Sequence, residues 1–587
     1  MNSLLNTKKG KTTTSFAPLL GALIFTFVLT SATWPPIVTG SEAPSGEVAD
    51  TILLNGRIHT LAQDAASPAM AQAVAIRDGK IIFVGDDTAV QDYVSPQTKI
   101  IDLRGKMAMP GFVDTHNHVF EGASSAGGEC ELSRKENLEG QIPYLEYCQD
   151  HAPAPGQWIA GYGHRLKQLL SRSNGRTPRA LLDQYFPDNP IIIMEESSHS
   201  MIANSRALEL AGYDQNAPHP IGGRLMRDRQ DKLNGVLFDN AGDRIFELAQ
   251  NSREDRFEIG YEGLLNGMAE VAKNGITTVG DGRLYWRRGW HDVWMEALNN
   301  QELTIRAALR PWVYPDVDMA QQIDYLKNIV DHDDSDLLVV NQVKMYSDGA
   351  LHFGTAKLLD PYDRSLQKDL PNGLNYISPE ALSLWLKELD AIGLGAHIHA
   401  IGDAGVRESL NAIESARANG SAQHYGMTHL EMVNERDIHR FAELDVDADF
   451  QAGAVYFKDT HWADAYIGSQ RAFEMLPMRD IYEEGGNITF SSDWTVNPLN
   501  PLVAISQSVK LSESKGLPDI QSALRAATIN GAKALGLDHL TGTLETGKSA
   551  DIVVLDRDLT ELSWRKIKST RVSMTILAGE IVFNRNR

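Results

Sequence analysis

Apolar residues recur along this chain in two rhythms. At the ends they fill runs of strand length: Thr51 to Leu61, Ala73 to Gly85 with an Asp78-Gly79 pair inside it, and at the far end Asp551 to Leu555 and Met574 to Phe583. An Asp-Gly pair between two such runs is a tight-hairpin signal. Matching strands confined to the two ends predict a composite β-sandwich built from residues 50–108 and 538–587. Between them, short apolar runs alternate with helical stretches, which predicts a parallel sheet with helical crossovers. The runs fall at 112–118, 276–281, 305–311, 340–346, 394–399, 425–430, 445–451 and 487–493. Eight of them fit an α/β fold, a (β/α)8 TIM barrel over residues 109–537. An open doubly wound sheet competes, but no G-x-G-x-x-G follows a strand, and polar residues gather at the strands' C-terminal ends, where barrel sites form. The stretch from about 120 to 250 is too long for one crossover and carries its own apolar runs, Trp158-Ile159-Ala160-Gly161 and Ile191-Ile192-Ile193-Met194. It predicts an inserted cap subdomain over the barrel mouth.

The first residues follow neither rhythm. Lys8, Lys9 and Lys11 precede an uncharged stretch from Phe16 to Trp34 with Leu19, Leu20, Leu23, Ile24, Phe25, Phe27, Val28 and Leu29. This is the layout of an export signal over residues 1–33, with Thr30 and Ala32 as small residues near a cleavage point. An uncleaved membrane anchor over 16–34 is the alternative, because the stretch approaches the roughly 20 residues that span a bilayer. Both readings put the globular part outside the cytoplasm, in the periplasm or beyond the cell. Pro-, Gly-, Ser- and Glu-rich residues 34–49 read as a linker.

Composition changes the picture in two ways. A formal charge of -22 excludes nucleic acid as an expected partner, since phosphate backbones need a lysine and arginine surplus. Only two cysteines occur, Cys130 and Cys148, with no C-x-x-C spacing, so a zinc-thiolate site is excluded. They either close a disulfide in an oxidising compartment or pack as small core residues.

The candidate chemistry begins at Met109-Pro110-Gly111-Phe112-Val113-Asp114-Thr115-His116-Asn117-His118. Side chains alternate along a strand, so His116 and His118 face the same way and can bind one metal ion. Strand four ends Gln342-Val343-Lys344-Met345-Tyr346-Ser347-Asp348-Gly349. A lysine among apolar neighbours needs a partner, and an ion pair with Asp348 or another carboxylate is the plain reading of Lys344. Strand five carries His397 and His399; His399 lies nearer the mouth and is the better ligand, whereas His397 reads as a hydrogen-bonded interior residue. Strand six supplies His429, otherwise a satisfied core histidine, and strand eight supplies Asp493, otherwise a helix cap.

These plain explanations are independent and would not select the ends of strands one, four, five, six and eight together. The joint pattern resembles the binuclear metal set of the amidohydrolase superfamily. In finer detail it is similar to the YtcJ-like branch, amidohydrolase family 3, which includes N-substituted formamide deformylase. The resemblance is carried by Lys344-Met345-Tyr346-Ser347-Asp348-Gly349, by His399-Ala400-Ile401-Gly402-Asp403, by Ser198 through Leu208 and by Gly542 through Asp551, and it extends over roughly residues 50–585. It implies a divalent metal centre, two zinc ions, held by His116, His118, Lys344, His399, His429 and Asp493. It implies that Lys344 becomes a bridging N6-carboxylysine, because an unmodified lysine cannot bridge two cations. Asp493 would take the proton of the attacking water and return it to the leaving nitrogen. His199 would reach over the site to hold the substrate oxygen; capping of a helix at 204–211 is its alternative role. Asp348, His352 and Phe353 are the further substrate-binding candidates.

The implied activity is hydrolysis of a carbon–nitrogen bond outside peptides, in an amide, formamide or cyclic amide, with a small molecule as partner and a second copy of the chain as a candidate assembly partner. Ester or lactone hydrolysis on the same site, and a metal-bearing binding protein without catalysis, are the alternatives. Two features depart from the family pattern or stand outside it. His352 and Phe353 are bulky where the family has small residues, which reshapes the pocket. Arg283-Leu284-Tyr285-Trp286-Arg287-Arg288, just after strand two, forms an aromatic and cationic wall that reads first as cap packing and second as a subsite for an apolar or anionic leaving group.

Overall fold

The chain's own preferences settle where the strands lie. Runs buried on both faces read as continuous apolar segments, as parallel strands covered by helices do, and Phe112–Asn117, Gly395–Ala400 and Tyr425–His429 are buried along their whole length. The computed structural model describes residues 48–62, 67–122, 130–148, 153–171, 175–335 and 337–586. The signal or anchor segment 1–33, and the linker as far as residue 47, lie outside the described residues.

Two parallel sheets carry the centre of the α/β fold. One holds Phe112–Asn117, Ile276–Asp281, Arg306–Ala308 and Leu338–Val339 in that spatial order; the other holds Gln342–Tyr346, Gly395–Ala400, Tyr425–His429, Val446–Phe450 and Ile488–Phe490. The fourth expected run is therefore split. Val340 leaves the ladder to exchange two backbone hydrogen bonds with Asp331, at 2.8 and 3.0 Å. The sheets meet at a parallel bridge between Trp312 and Lys344, where the Lys344 N–H donates to the Pro311 carbonyl at 3.0 Å. At their other ends the Asp493 N–H donates to the His116 carbonyl at 2.8 Å. Amphipathic helices follow the strands; Ser378, for example, caps Pro379–Asp390 by accepting from the Ala381 N–H, with proline at the first helical position, where its missing N–H costs nothing.

Strands from both chain ends share one six-stranded sheet, in the order Glu580–Asn584, Val572–Leu577, Ile552–Leu555, Met107–Pro110, Arg57–His59, Met70–Ala71. A four-stranded sheet, Lys80–Gly85, Ala73–Arg77, Thr51–Leu54 and Lys99–Asp102, packs with it around Leu53, Ile58, Ile76, Ile552 and Ile576. Its hairpin turns at Asp78 and Gly79, with φ of 49° and 75°, the mirror-image turn that suits strand twist. Gly111 marks the step from this layer into the first parallel strand. A side chain there would begin 2.1 Å from Thr277 Oγ1, so only glycine fits.

The insertion forms a six-stranded mixed sheet, Gly223–Arg227, Leu233–Asp239, Ser200–Ala203, Ile191–Glu195, Ile159–His164 and Cys130–Glu131. One face packs on Ile245 and Phe246 of the helix Asn240–Asn251, while Ile191, Ile193, Ile202 and Phe238 join the main core. Cys130 and Cys148 form a disulfide with Cα atoms 5.3 Å apart, which decides between the two readings of that pair.

Candidate metal centre

His116 on Phe112–Asn117 and His118 just past its end bring their rings together edge to face, with centroids 5.0 Å apart. Both aim Nε2 at one oxygen, Asp493 Oδ1, at 3.4 and 3.0 Å. All three are buried, and their ligand atoms lie within 4.8 Å of one another. Asp493 stands in the left-handed region, φ 50°, as does His429, φ 78°; non-glycine residues enter that region at a cost of order 1–3 kcal/mol and persist where surrounding contacts over-determine them. Burial opposes the charge of Asp493, but hydrogen bonds from His116 and His118 hold its carboxyl well below the usual range. Burial above all holds the His116 pKa well below its ordinary value, which favours the neutral ring, the form that offers a lone pair.

Lys344 is fully buried and its Nζ has no hydrogen-bond partner among the described residues; the Tyr346 ring lies 5.2 Å away. The expected ion pair with Asp348 is absent. Both Asp348 oxygens are taken by backbone N–H groups, Ile401 at 3.0 Å, Gly402 at 2.8 Å and Lys357 at 2.8 Å, so Asp348 shapes the turn after His399 instead. Burial, then the charge of Arg310, holds the Lys344 amine far below its ordinary value.

The other two histidines come with their tautomers fixed. His399 can only donate to the Gly349 carbonyl from Nε2, at 3.1 Å, which leaves its lone pair on Nδ1, and that atom has no partner among the described residues. His429 faces Gln451 Oε1 from Nδ1 at 2.9 Å, while Gln451 Nε2 donates to Thr428 and Ser491 at 3.0 and 2.8 Å. That amide orientation makes His429 Nδ1 the donor and leaves Nε2 as the acceptor. The His429 ring lies 4.5 Å from His399 and 5.5 Å from His116. His397 is not the satisfied interior residue expected: its Nε2 has no partner among the described residues, and its ring stacks on His116 at 5.3 Å.

His199 reaches in from the insertion, its ring 5.0 Å from His399 and 5.7 Å from Tyr346. Its Nδ1 meets Asp239 Oδ1 at 2.7 Å. Burial works against a charged ring, but the hydrogen bond and charge of Asp239 outweigh it and raise the His199 pKa. The helix Ser205–Leu210 is capped by Asn204, which accepts from the Ala207 N–H at 3.0 Å, so the capping role falls away from His199. Phe353 turns into the core against Phe238 at 5.3 Å, and His352 lies on Phe353, ring centroids 3.9 Å apart. Phe353 thus packs the segment after Gln342–Tyr346 against Leu233–Asp239 of the insertion.

Sequence reasoning passed over the polar support below the ligands. Asp449 accepts from Thr115 at 2.5 Å, Thr489 at 2.8 Å, Thr428 at 2.7 Å and Ser491 at 2.6 Å, tying strands together under the histidines. Asp114 binds the Ser492 N–H at 2.9 Å and hydroxyl at 2.6 Å, which fixes the turn that carries Asp493. Glu431, pushed up to about 8 by burial and then by Asp348, has no partner for Oε2 among the described residues. The available signal was an acid inside a strand, too common a pattern to single out.

The model of a family described as "Amidohydrolase family" matches residues 99–583. The chain is similar to Protein LONG AFTER FAR-RED 3 of Arabidopsis thaliana, 30% identical over 563 residues that cover 91% of each chain. It is also similar to N-substituted formamide deformylase of Arthrobacter pascens, 24% identical over 553 residues that cover 92% of this chain and 99% of that one. Among solved structures, an uncharacterized metal-dependent hydrolase from Pyrococcus horikoshii shares the fold, with a TM-score of 0.67 at 22% identity over 88% of this chain and 99% of that one.

Proposed function

The chain belongs to the amidohydrolase family and is a hydrolase, and from that premise we propose that it uses two zinc ions to cleave the carbon–nitrogen bond of a small non-peptide amide. The observation that carries this is the convergence of His116 and His118 Nε2 on one Asp493 oxygen, with His399 and His429 alongside. The donor set fits the group: neutral imidazoles and a carboxylate suit zinc, and His399 Nδ1 and Lys344 Nζ are buried with no partner in the protein among the described residues. His116, His118 and Asp493 would hold one ion and His399 and His429 the other. Lys344, whose amine burial holds far below its ordinary value, would add carbon dioxide: its nitrogen would form the new bond, a proton would leave to water, and the resulting N6-carboxylate would serve as an anionic ligand to the metal centre. The same reading closes the two parallel sheets into one (β/α)8 barrel, supported by the Trp312–Lys344 bridge and the bond from Asp493 to His116.

When bound, the metal centre supplies positive charge that lowers the pKa of a water and polarises a carbonyl. Asp493 takes the proton from the attacking water and returns it to the leaving nitrogen. His199, held through Nδ1 by Asp239, presents Nε2 as a donor to the substrate oxygen as negative charge develops there. The insertion that carries His199 excludes bulk water from that step. Export to an oxidising compartment belongs to the same reading, supported by the apolar N-terminal stretch and by the Cys130–Cys148 disulfide. Matched pairs of N-formyl amines and formate esters of the same alkyl group test the bond class. Turnover of the amide is expected; turnover of the ester alone would overturn the assignment.

A further inference from the structure

Arg283 follows the second parallel strand, Ile276–Asp281, where the Asp281 carboxylate accepts the Arg283 N–H at 3.2 Å and fixes the turn. The turn lies against the metal centre: a Cβ on the preceding Gly282 would sit 2.8 Å from His118 Cε1 and 3.0 Å from His116 Cε1. Arg306 pairs with Asp551 at 3.5 Å; Arg288 and Arg310 have no carboxylate within ion-pairing distance among the described residues, but Arg288 lies over the Tyr285 ring at 3.6 Å and Arg310 binds the Thr115 carbonyl and Gln342 Oε1. Arg283 has weaker contacts. It is 8% exposed, its Nε has no partner, its Nη1 reaches only the Tyr346 hydroxyl at 3.4 Å, and among the described residues no carboxylate comes within ion-pairing distance. Two carboxylates beyond that distance, Glu121 and Asp243, favour its charge, and Asp243 is engaged by the Tyr376 hydroxyl at 2.9 Å.

Burying a guanidinium outside an ion pair is costly, and its planar fork is matched to a carboxylate. Its surroundings describe the rest of the ligand. Tyr285, whose ring lies 5.4 Å from the guanidinium, also lines a cleft of about 400 Å³ together with Trp312, Tyr314 and Arg288 and with the carboxylates Asp243, Glu247 and Asp316. Trp312 in turn packs on Tyr346 at 4.7 Å, and Tyr346 stacks on His399 at 4.0 Å. Two aromatic side chains, Trp312 and then Tyr346, thus stand between the cleft and a ligand histidine, with Arg283 beside Tyr346. We propose that Arg283 is a specificity-determining residue that receives a carboxylate of the substrate, so that the preferred amides are acidic ones with an apolar or aryl body, such as N-acylated amino acids. The proposal rests on the reading of the centre as amide-hydrolysing.

Binding tests the anion site without turnover. Phenylacetate and phenylacetamide are titrated calorimetrically into the zinc-loaded full chain, as wild type, Arg283→Met and Arg283→Lys. Wild type should prefer phenylacetate; Arg283→Met should weaken phenylacetate about 30-fold or more, the scale for removing one partner of a buried charge pair, and leave phenylacetamide unchanged. Arg283→Lys should keep part of the preference. A carboxylate held by metal alone would bind wild type and Arg283→Met equally, which would overturn the proposal. So would a wild type with no preference, a result that needs no variant to fold. Paired kinetics on N-formyl-4-(aminomethyl)benzoate and N-formylbenzylamine separate the two claims: selectivity in binding with turnover of neither amide supports the anion site and overturns the amide reading.

Discussion

Asp493 is the residue whose two roles can be pulled apart. It faces both imidazoles through one oxygen from a left-handed backbone position. Asparagine keeps the shape and a ligand oxygen but takes no proton near neutral pH. Asp493→Asn should therefore retain most of the bound metal while turnover falls about 10²-fold or more, the scale for loss of a general base. Parallel loss of metal and rate in elemental analysis and kinetics would make Asp493 chiefly a ligand. At this scale the sequence was most legible where chemistry is spelled in adjacent letters, as in His116-Asn117-His118, which the strand turns to one side. It was least legible where a role depends on what is missing. Nothing in the string announces that Lys344 lacks its ion pair or that Arg283 lacks a carboxylate, because partners are chosen by the fold. Nor could spacing show that Asp348 would be consumed by the backbone of residues 401 and 402.

Elements were legible to the extent that their pattern is local. The Asp78-Gly79 hairpin and the eight apolar runs depend on period and turn chemistry, and they fall where those rules place them. The break in the fourth run does not, because it arises from the pairing of Val340 with Asp331. The insertion showed only two of its six strands in advance, since short strands such as Ser200–Ala203 are defined by their partners. One contact between elements from the two chain ends is open to test. Asp558, before the last two strands, binds Arg57 at 3.0 Å and His59 at 3.1 Å on an N-terminal strand. Burial opposes its charge, but Thr560 and His59 hold the carboxyl below its ordinary value. A depressed carboxylate stabilises the folded state above its unfolded pKa of about 3.9 and loses that contribution as pH falls through the folded value. Asp558→Asn should thus cost about 1 kcal/mol at pH 7, a modest figure because Arg57 is half exposed. The difference in melting temperature from wild type should shrink as the pH is lowered below about 4. A difference independent of pH would show that packing, not charge, joins the two ends.

The whole molecule places its chemistry where independent elements converge. Strand ends from both parallel sheets bring histidines, a lysine and an aspartate together, the insertion adds His199, and the sheet made from both chain ends supports the first strand through Gly111. This convergence was legible as a list of strand ends before any geometry was known, because a parallel α/β architecture collects those ends on one side. The central claim is that amide hydrolysis depends on metal held by that convergence. It is tested most directly by stripping the protein with a chelator, adding zinc back in known equivalents, and following hydrolysis of an N-formyl amine at each step. The account expects negligible rate without metal and a rise that levels off at about two zinc ions per chain. Full turnover in protein shown by elemental analysis to be free of metal would contradict it.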